Sequence, residues 1–236
     1  VETVSCSYGS LTIDGTGAWT YMADNSLAQI QSLGLNEAVT DTIAVHTIDG
    51  TTEDIAITIT GTNDAPVVSG VITDAVTDTD ATFTVHLLSG ATDVDTTDTL
   101  TVTNLTHAGN ATGITVNTNN TLSVDPSAYA SLGAGLTEVV TYNYNVEDSS
   151  GGSVTQTATV TIMGTNDAPV VSGAISDAAT DTDATFTVDL LSGATDVDTT
   201  DTLTVTNLTL SGDATGIMVN TDNTLSVDPS AYASLG

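Results

Sequence analysis

The 236-residue sequence contains no lysine and no arginine, against thirty Asp and Glu and three His, for a formal net charge of −30. That absence excludes nucleic-acid partners, because phosphate binding draws on counterion release by basic side chains. Repulsion likewise excludes attraction to anionic membrane surfaces. No carboxylate can pair with a Lys or Arg, so the acids must be dispersed in water, protonated, or neutralised by bound cations. Cysteine occurs once, at Cys6, which excludes an intrachain disulfide and reads as an incidental buried thiol rather than a nucleophile. One Trp and two Phe are too few for a substrate cleft with aromatic platforms, so the acid pairs do not read as a glycosidase and the chain reads as non-enzymatic. No apolar run approaches a membrane span, which argues against membrane insertion, and no signal-peptide pattern is present. The chain opens on Val1 without an initiator Met, which suggests an excerpt or a processed product.

Val and Thr are plentiful, and they alternate. In "ATFTVHLL", Phe83, Val85 and Leu87 share one face while Thr82, Thr84 and His86 share the other. "VTQTATVTI" sets Val154, Ala158, Val160 and Ile162 against Thr155, Thr157, Thr159 and Thr161, and Ile55, Ile57 and Ile59 alternate in the same way. Period-two alternation of β-branched residues predicts half-buried strands. "LTIDGTGAWTY" predicts a hairpin turning at Asp14–Gly17 between Leu11/Ile13 and Trp19/Tyr21. Helical signal is confined to "NSLAQIQSL" and "PSAYASL", about two turns each at most. About seven strands per roughly 100 residues indicate an antiparallel sandwich.

"GTNDAPVVSG" at Gly61–Gly70 returns at Gly164–Gly173, a period of 103 residues (164 − 61). Ala65–Gly133 and Ala168–Gly236 differ at nine of 69 aligned positions, among them His86/Asp189 and His107/Leu210. Two of the three histidines are thus lost one period later, which makes His46, His86 and His107 surface strand positions rather than a shared metal site. A period this long exceeds solenoid units and gives each repeat a core of its own. The predicted domains are 1–64, the later part of a repeat; 65–167, a whole repeat; and 168–236, the first part of a third. They read as a window on a longer tandem array. The rival arrangement is a filament in which the next chain's first segment completes the third repeat.

The acids gather in loops. The whole repeat carries Asp78 and Asp80 in "TDTDAT", Asp93, Asp95 and Asp98 in "ATDVDTTDTL", Glu138 in "GLTEV", and Glu147 and Asp148 in "NVEDSSGG". The third repeat restates the first two groups as Asp181 and Asp183, and as Asp196, Asp198 and Asp201. Loop acids taken singly are ordinarily just solvated. Their recurrence together, at one period and with no basic residue to balance them, points instead to a hard cation. Asp-x-Asp in a loop directs two oxygens at one point, and Ca²⁺ takes six to eight such oxygens where Mg²⁺ demands a stricter octahedron.

"YGSLTIDGTGAWTYMADNSLAQIQSLGLNEAVTDTIAVHTIDG…ITITGTNDAP" resembles a VCBS repeat of large bacterial surface adhesins. "APVVSG…ATFTVDLLSGATDVDTTDTLTV…GTNDAP" resembles the cadherin-like repeats of biofilm-associated and RTX-type adhesins. The resemblance implies an all-β chain of tandem Ig-like or cadherin-like antiparallel β-sandwiches, joined end to end by short linkers that bind Ca²⁺. It also implies a secreted or cell-surface protein whose partners are neighbouring repeats of the same chain. Carried over residue by residue, the linker ligands are Asn63 and Asp64, and Asn166 and Asp167. The Asp-x-Asp pairs of the following domains are Asp93/Asp95 and Asp196/Asp198. The preceding domain's acid is Glu37 at the first joint and Glu138 at the second. Asp148 supplies the late-loop acid of the first joint, and its counterpart at the second falls beyond Gly236. Asp78/Asp80 and Asp181/Asp183 stand in for an early-loop Glu that has no clear match. Gly61 replaces the linker's first Asp and the linker is one residue shorter, so one or two ions per joint are expected rather than three. The resulting expectation is a calcium-stiffened stalk of a surface adhesin, serving cell adhesion or biofilm formation. The alternatives are a calcium-dependent self-associating matrix or filament subunit and, less supported, a carbohydrate-binding module.

Overall fold

A computed structural model describes residues 1–235. The chain is all-β, with tandem sandwich domains, and it divides into two compact units. One comprises Val1–Asp74, Thr82–Val124 and Val139–Thr161; the other comprises Ala75–Ala81, Asp125–Glu138 and Ile162–Gly236. Among the described residues no helix is long and apolar enough to cross a membrane.

In the first unit, β1 (Glu2–Ser5), β2 (Gly9–Ile13) and β3 (Trp19–Ala23) form a three-stranded antiparallel sheet. The β2–β3 hairpin has the expected register, Ile13 opposite Trp19 and Leu11 opposite Tyr21. Its turn closes because one Asp14 oxygen accepts the N–H and hydroxyl of Thr16 and the N–H of Ala18, while Gly17 takes φ 85°. These bonds, led by the Thr16 hydroxyl, hold the Asp14 carboxyl below its ordinary range. A single α-helical turn, α1 (Ala28–Gln31), precedes the hairpin of β4 (Ala38–His46) and β5 (Thr52–Thr60). Leu11, Ile30 and Ile43 are buried here. So is Asp41, 4% exposed, on the inward row of β4. Its oxygens accept the N–H groups of Ser7 and Tyr8, both at 3.0 Å, and the Tyr21 hydroxyl at 2.5 Å. Cys6, expected buried, is half-buried in the adjoining turn, its thiol near the Val4 carbonyl at 3.6 Å.

The whole repeat continues with β6 (Val67–Val68), β7 (Ile72–Thr77), β8 (Phe83–His86), β9 (Ala91–Thr92), β10 (Thr101–Ala108), β11 (Ile114–Val116) and β12 (Thr121–Val124). A 3₁₀ turn at Pro126–Tyr129 is capped by Asp125, and β13 (Thr137–Glu147) and β14 (Ser153–Met163) follow. One sheet is ordered β10–β13–β14–β7, the other β11–β12–β8. Alternation does the burying: Val140, Tyr142, Tyr144 and Val146 of β13, with Ala158 and Val160 of β14, turn inward. Val85, Leu87, Leu122 and Val124 face them from the second sheet. The Tyr144 hydroxyl crosses the core to donate to the Leu87 carbonyl at 2.7 Å, so the one polar atom this side chain buries is satisfied. His46, His86 and His107 are exposed on strands.

The third repeat begins with β15 (Val170–Val171), β16 (Phe186–Asp189), β17 (Ala194–Thr195), β18 (Ile217–Val219) and β19 (Thr224–Val227), and a 3₁₀ turn spans Pro229–Leu235. Its sheet β16–β19–β18 copies the register of β8–β12–β11: Val188 faces Leu225 as Val85 faces Leu122. Both predicted helical stretches prove to be one or two turns: the first is α-helical, and the second, which occurs twice, is 3₁₀ in both places.

Candidate metal centre

Each linker is held by the same backbone scaffold, with no carboxylate chemistry required. At the first, Gly61 donates to the Glu37 carbonyl at 2.8 Å, Glu37 donates to the Gly34 carbonyl at 3.0 Å, and Thr96 reaches the Ser32 carbonyl at 3.4 Å. At the second, Gly164 donates to Leu136 at 2.9 Å, Leu136 to Gly133 at 3.0 Å, and Thr199 to Ser131 at 3.3 Å. The linker glycines are dictated by contact: a Cβ on Gly61 would stand 2.1 Å from the Leu33 carbonyl oxygen, and one on Gly164 would stand 2.1 Å from that of Leu132. Gly34 and Gly133 in turn lie against Asp95 and Asp198, where a Cβ would meet Thr97 and Thr200 hydroxyls at 3.1 and 3.0 Å.

On this frame the Asp-x-Asp loops turn inward. Asp95 takes the Asp64 N–H on Oδ2 at 2.8 Å and donates its own N–H to Asp93 Oδ1 at 2.9 Å. Asp198 takes the Asp167 N–H at 2.9 Å and donates to Asp196 at 3.0 Å. Asp95 and Asp198 are each 2% exposed, and in both the second oxygen, Oδ1, has no hydrogen-bond partner. A buried carboxylate oxygen without a donor is costly unless a cation takes it.

The first centre gathers further oxygens. Asp93, Asp98 and Asp148 each place one carboxylate oxygen within 4.8 Å of the others. Asp93 Oδ2, Asp98 Oδ2 and Asn63 Oδ1 are buried and unpartnered as well. The remaining valences are used to aim these groups: Asp98 Oδ1 accepts the Ser149 and Ser150 hydroxyls at 2.8 and 2.9 Å, and Asn63 donates to Asp148 Oδ2 at 3.1 Å. Asp148 Oδ1 gathers the N–H groups of Ser150, Gly151 and Gly152. Burial works against the Asp148 charge, but the Asn63 amide and these three N–H groups outweigh it and hold its carboxyl below the ordinary range. Asp93 shifts the other way. Burial, joined by the negative charges of Asp95, Asp148 and Asp98, raises it despite the Asp95 N–H. Hard anionic oxygens crowded around one point, with no lysine or arginine in the chain, fit Ca²⁺ by the chemistry of the donor set.

The second centre unites Asp196, Asp198 and Asp201 within the same limit, with Asn166 donating to the Asp167 carbonyl at 2.6 Å. Asp78, 2% exposed, comes to this linker too, where both its oxygens take the Thr165 N–H and one its hydroxyl. Several expected ligands are placed elsewhere. Asp80 and Asp183 are exposed and close turns on the N–H groups of Thr77 and Thr180, and Asp181 is exposed. Glu37 keeps its place at the first linker, accepting the Gly34 N–H at 2.9 Å. At the second linker the backbone place of Glu37 is taken by Leu136, with Glu138 two residues further on, because β4 and β13 begin at Ala38 and Thr137, an offset of 99 rather than 103. The four-residue difference lies in the longer hairpin of the whole repeat. Asp98 and Asp201 were not among the expected ligands. Their signal was the full "DVDTTD" in both repeats, of which only the Asp-x-Asp was carried over.

Residues 62–163 and 165–234 match the family model of a cadherin-like domain. No curated protein matches the chain. Among solved structures, the EC1–3 fragment of mouse protocadherin-24 is 12% identical with a TM-score of 0.42, over 92% of this chain and 73% of its own. The EC1–4 fragment of protocadherin gamma B7 is 13% identical with a TM-score of 0.37, over 94% of this chain and 57% of its own. A Ca²⁺-stabilised adhesin with which an Antarctic bacterium reaches out and binds ice is 16% identical with a TM-score of 0.24, over 98% and 58%. The chain spans less than two thirds of the length of the latter two.

Proposed function

The chain belongs to the cadherin-like domain family, and on that premise we propose that it is a calcium-stiffened stalk segment of a secreted bacterial surface adhesin of the VCBS or RTX type, with a mechanical and not an enzymatic role. Membership supports an adhesion-related, extracellular setting. The observation that carries the reading is the pair of buried, unpartnered Asp95 and Asp198 oxygens, one at each linker, in a chain without a lysine or arginine. Asn63, Asp64, Asp93, Asp95, Asp98 and Asp148 would hold the ion at the first joint; Asn166, Asp167, Asp196, Asp198 and Asp201 would hold it at the second. When bound, Ca²⁺ supplies the positive charge that these clustered carboxylates otherwise lack. Without it, the acids on a linker and on the loop beyond repel one another and the short linker is free to bend. With their charge neutralised, linker and loop are drawn together and neighbouring repeats of the chain become one rod.

The test is small-angle X-ray scattering in 1–5 mM Ca²⁺ and in excess EGTA, with the millimolar range taken from extracellular calcium modules. The expected result is a shorter and broader distance distribution in EGTA. An unchanged maximum dimension would overturn the reading.

A further inference from the structure

The second linker passes from one repeat to the next within a few residues. Met163, Gly164 and Thr165 are each tied to the repeat they leave. The Met163 carbonyl accepts the Asp78 N–H at 3.0 Å, Gly164 donates to the Leu136 carbonyl at 2.9 Å, and Thr165 is gripped by the Asp78 carboxylate. Asp167 is tied to the repeat it enters, its N–H on Asp198 Oδ2 at 2.9 Å. Asn166 stands between them, exposed, its side-chain amide on the adjacent Asp167 carbonyl. Among the described residues no hydrogen bond joins Asn166 to either repeat. The grip on Thr165 is the firmest of these ties. Asp78 is 2% exposed and takes the Thr165 N–H on both oxygens, at 3.1 and 3.2 Å, and the Thr165 hydroxyl on one, at 2.7 Å. Hydrogen bonds to a charged acceptor are about twice as strong as neutral ones. The loop that presents Asp78 is itself locked, since Asp80 Oδ2 accepts the Thr77 N–H at 2.7 Å and the Asp80 N–H returns to the Thr77 carbonyl at 3.1 Å. On the far side, Pro169 fixes its own φ and keeps Ala168 extended.

We infer that Asp78 and Thr165 form a clasp that needs no cation, which makes Thr165 part of the preceding repeat and leaves Asn166 as the pivot of the second joint. The clasp consists of hydrogen bonds alone, so it persists when calcium is withdrawn. Asp78 is accordingly a positioning residue for the linker and not a ligand of the ion. That the joint bends at all rests on the calcium reading above; the clasp does not. A residue has two soft backbone dihedrals, so the calcium-free joint swings about the φ and ψ of Asn166 rather than as a loose tether. An ion bound there then has a single residue to immobilise.

The test is ¹⁵N relaxation and amide hydrogen exchange on the 236-residue chain in excess EGTA, where no calcium contact contributes. Backbone order parameters of about 0.85 are expected at Gly164 and Thr165, and below about 0.6 at Asn166. Asp78→Ala is expected to bring Thr165 down to the level of Asn166. Thr165→Val removes the hydroxyl's bond alone and is expected to speed exchange of the amide at position 165 about tenfold. Equal order at Thr165 and Asn166 in the wild type, or a Thr165 amide that stays rigid in Asp78→Ala, overturns the clasp. Should Asp78→Ala fail to fold, Thr165→Val decides alone, and an unchanged exchange rate overturns it. Calcium at about 5 mM is then added to the wild type and is expected to order Asn166. An Asn166 that stays mobile there overturns the calcium reading and leaves the clasp standing.

Discussion

Strands β4 and β13 do the same structural work with opposite chemistry. Both leave a linker-facing turn, both run into a hairpin, and an offset of 99 residues aligns them from their first residue. On that alignment the inward row of β13 reads Val140, Tyr142, Tyr144, and that of β4 reads Asp41, Ile43, Val45. Val140 is wholly buried, and the place it holds is taken in β4 by an equally inaccessible carboxylate. The difference teaches that a sandwich core tolerates a charge only where its neighbours have been rebuilt to receive it. In the first segment Ser7, Tyr8 and Tyr21 converge on Asp41 with three hydrogen bonds. In the whole repeat the facing residues are Val85, Leu122 and Val124, which offer none.

The severest way to break that comparison is to give β13 the residue of β4. Val140→Asp places a carboxyl among apolar side chains with no donor to meet it. A cost of about 4–5 kcal/mol is expected, enough to unfold a marginal domain. Urea denaturation in EGTA measures it, and a loss under about 1 kcal/mol would show that the two inward rows are not equivalent. The converse change is milder. Asp41→Asn keeps the shape but turns an amide towards N–H groups that need an acceptor, and a loss of about 2–3 kcal/mol is expected for the first segment.

Asp41→Asn also carries a pH signature. Burial opposes the Asp41 charge, yet the Tyr21 hydroxyl and the N–H groups of Tyr8 and Ser7 outweigh it, so the carboxyl lies below its ordinary range. The group therefore binds protons more weakly folded than unfolded. Its contribution is complete above the unfolded value, about 4, and declines as pH falls through the lower folded value. The melting temperature of the wild type should fall more steeply below about pH 4 than that of Asp41→Asn. Parallel curves would show that the three donors do not favour the charged form.

Much of this was legible in the residues. Alternation in "VTQTATVTI" and "ATFTVHLL" marked the strands because a pleat displays every second side chain, and Asp14–Gly17 marked a turn by its own hydrogen-bonding chemistry. The 103-residue repeat exposed the linkers and the Asp-x-Asp loops. What stayed hidden depends on spatial register. Glu138 follows Leu136 by only two residues, and the four-residue difference in hairpin length decides which residue takes the backbone place of Glu37. Asp78 was legible as an acid, but its hydrogen bonds to Thr165, 87 residues away, belong to the fold. Asp41 went unread, although alternation in "AVTDTIAVH" sets it on one face with Val39, Ile43 and Val45. What the stretch alone does not show is that Tyr21 and the Ser7–Tyr8 turn close over it and satisfy its charge.

The finest test of the comparison lies two rows along from Val140. Tyr144 occupies the position of Val45, and burial pushes its phenol up to about 12. Its ring fills the core as an apolar residue would, and only its hydroxyl distinguishes it, by the 2.7 Å bond to the Leu87 carbonyl. Tyr144→Phe removes that bond and leaves the packing, so a loss of about 1 kcal/mol is expected, set by the Leu87 carbonyl left without its donor. This is smaller than the effect at Asp41 because one neutral bond is lost rather than three bonds to a charge. Calorimetry in EGTA, with Tyr142→Phe as the reference for a second buried ring on the same strand, isolates the hydroxyl's share. Equal effects at Tyr142 and Tyr144 would mean that the whole repeat draws nothing from its buried polar bond, and that β13 is held by its apolar row alone.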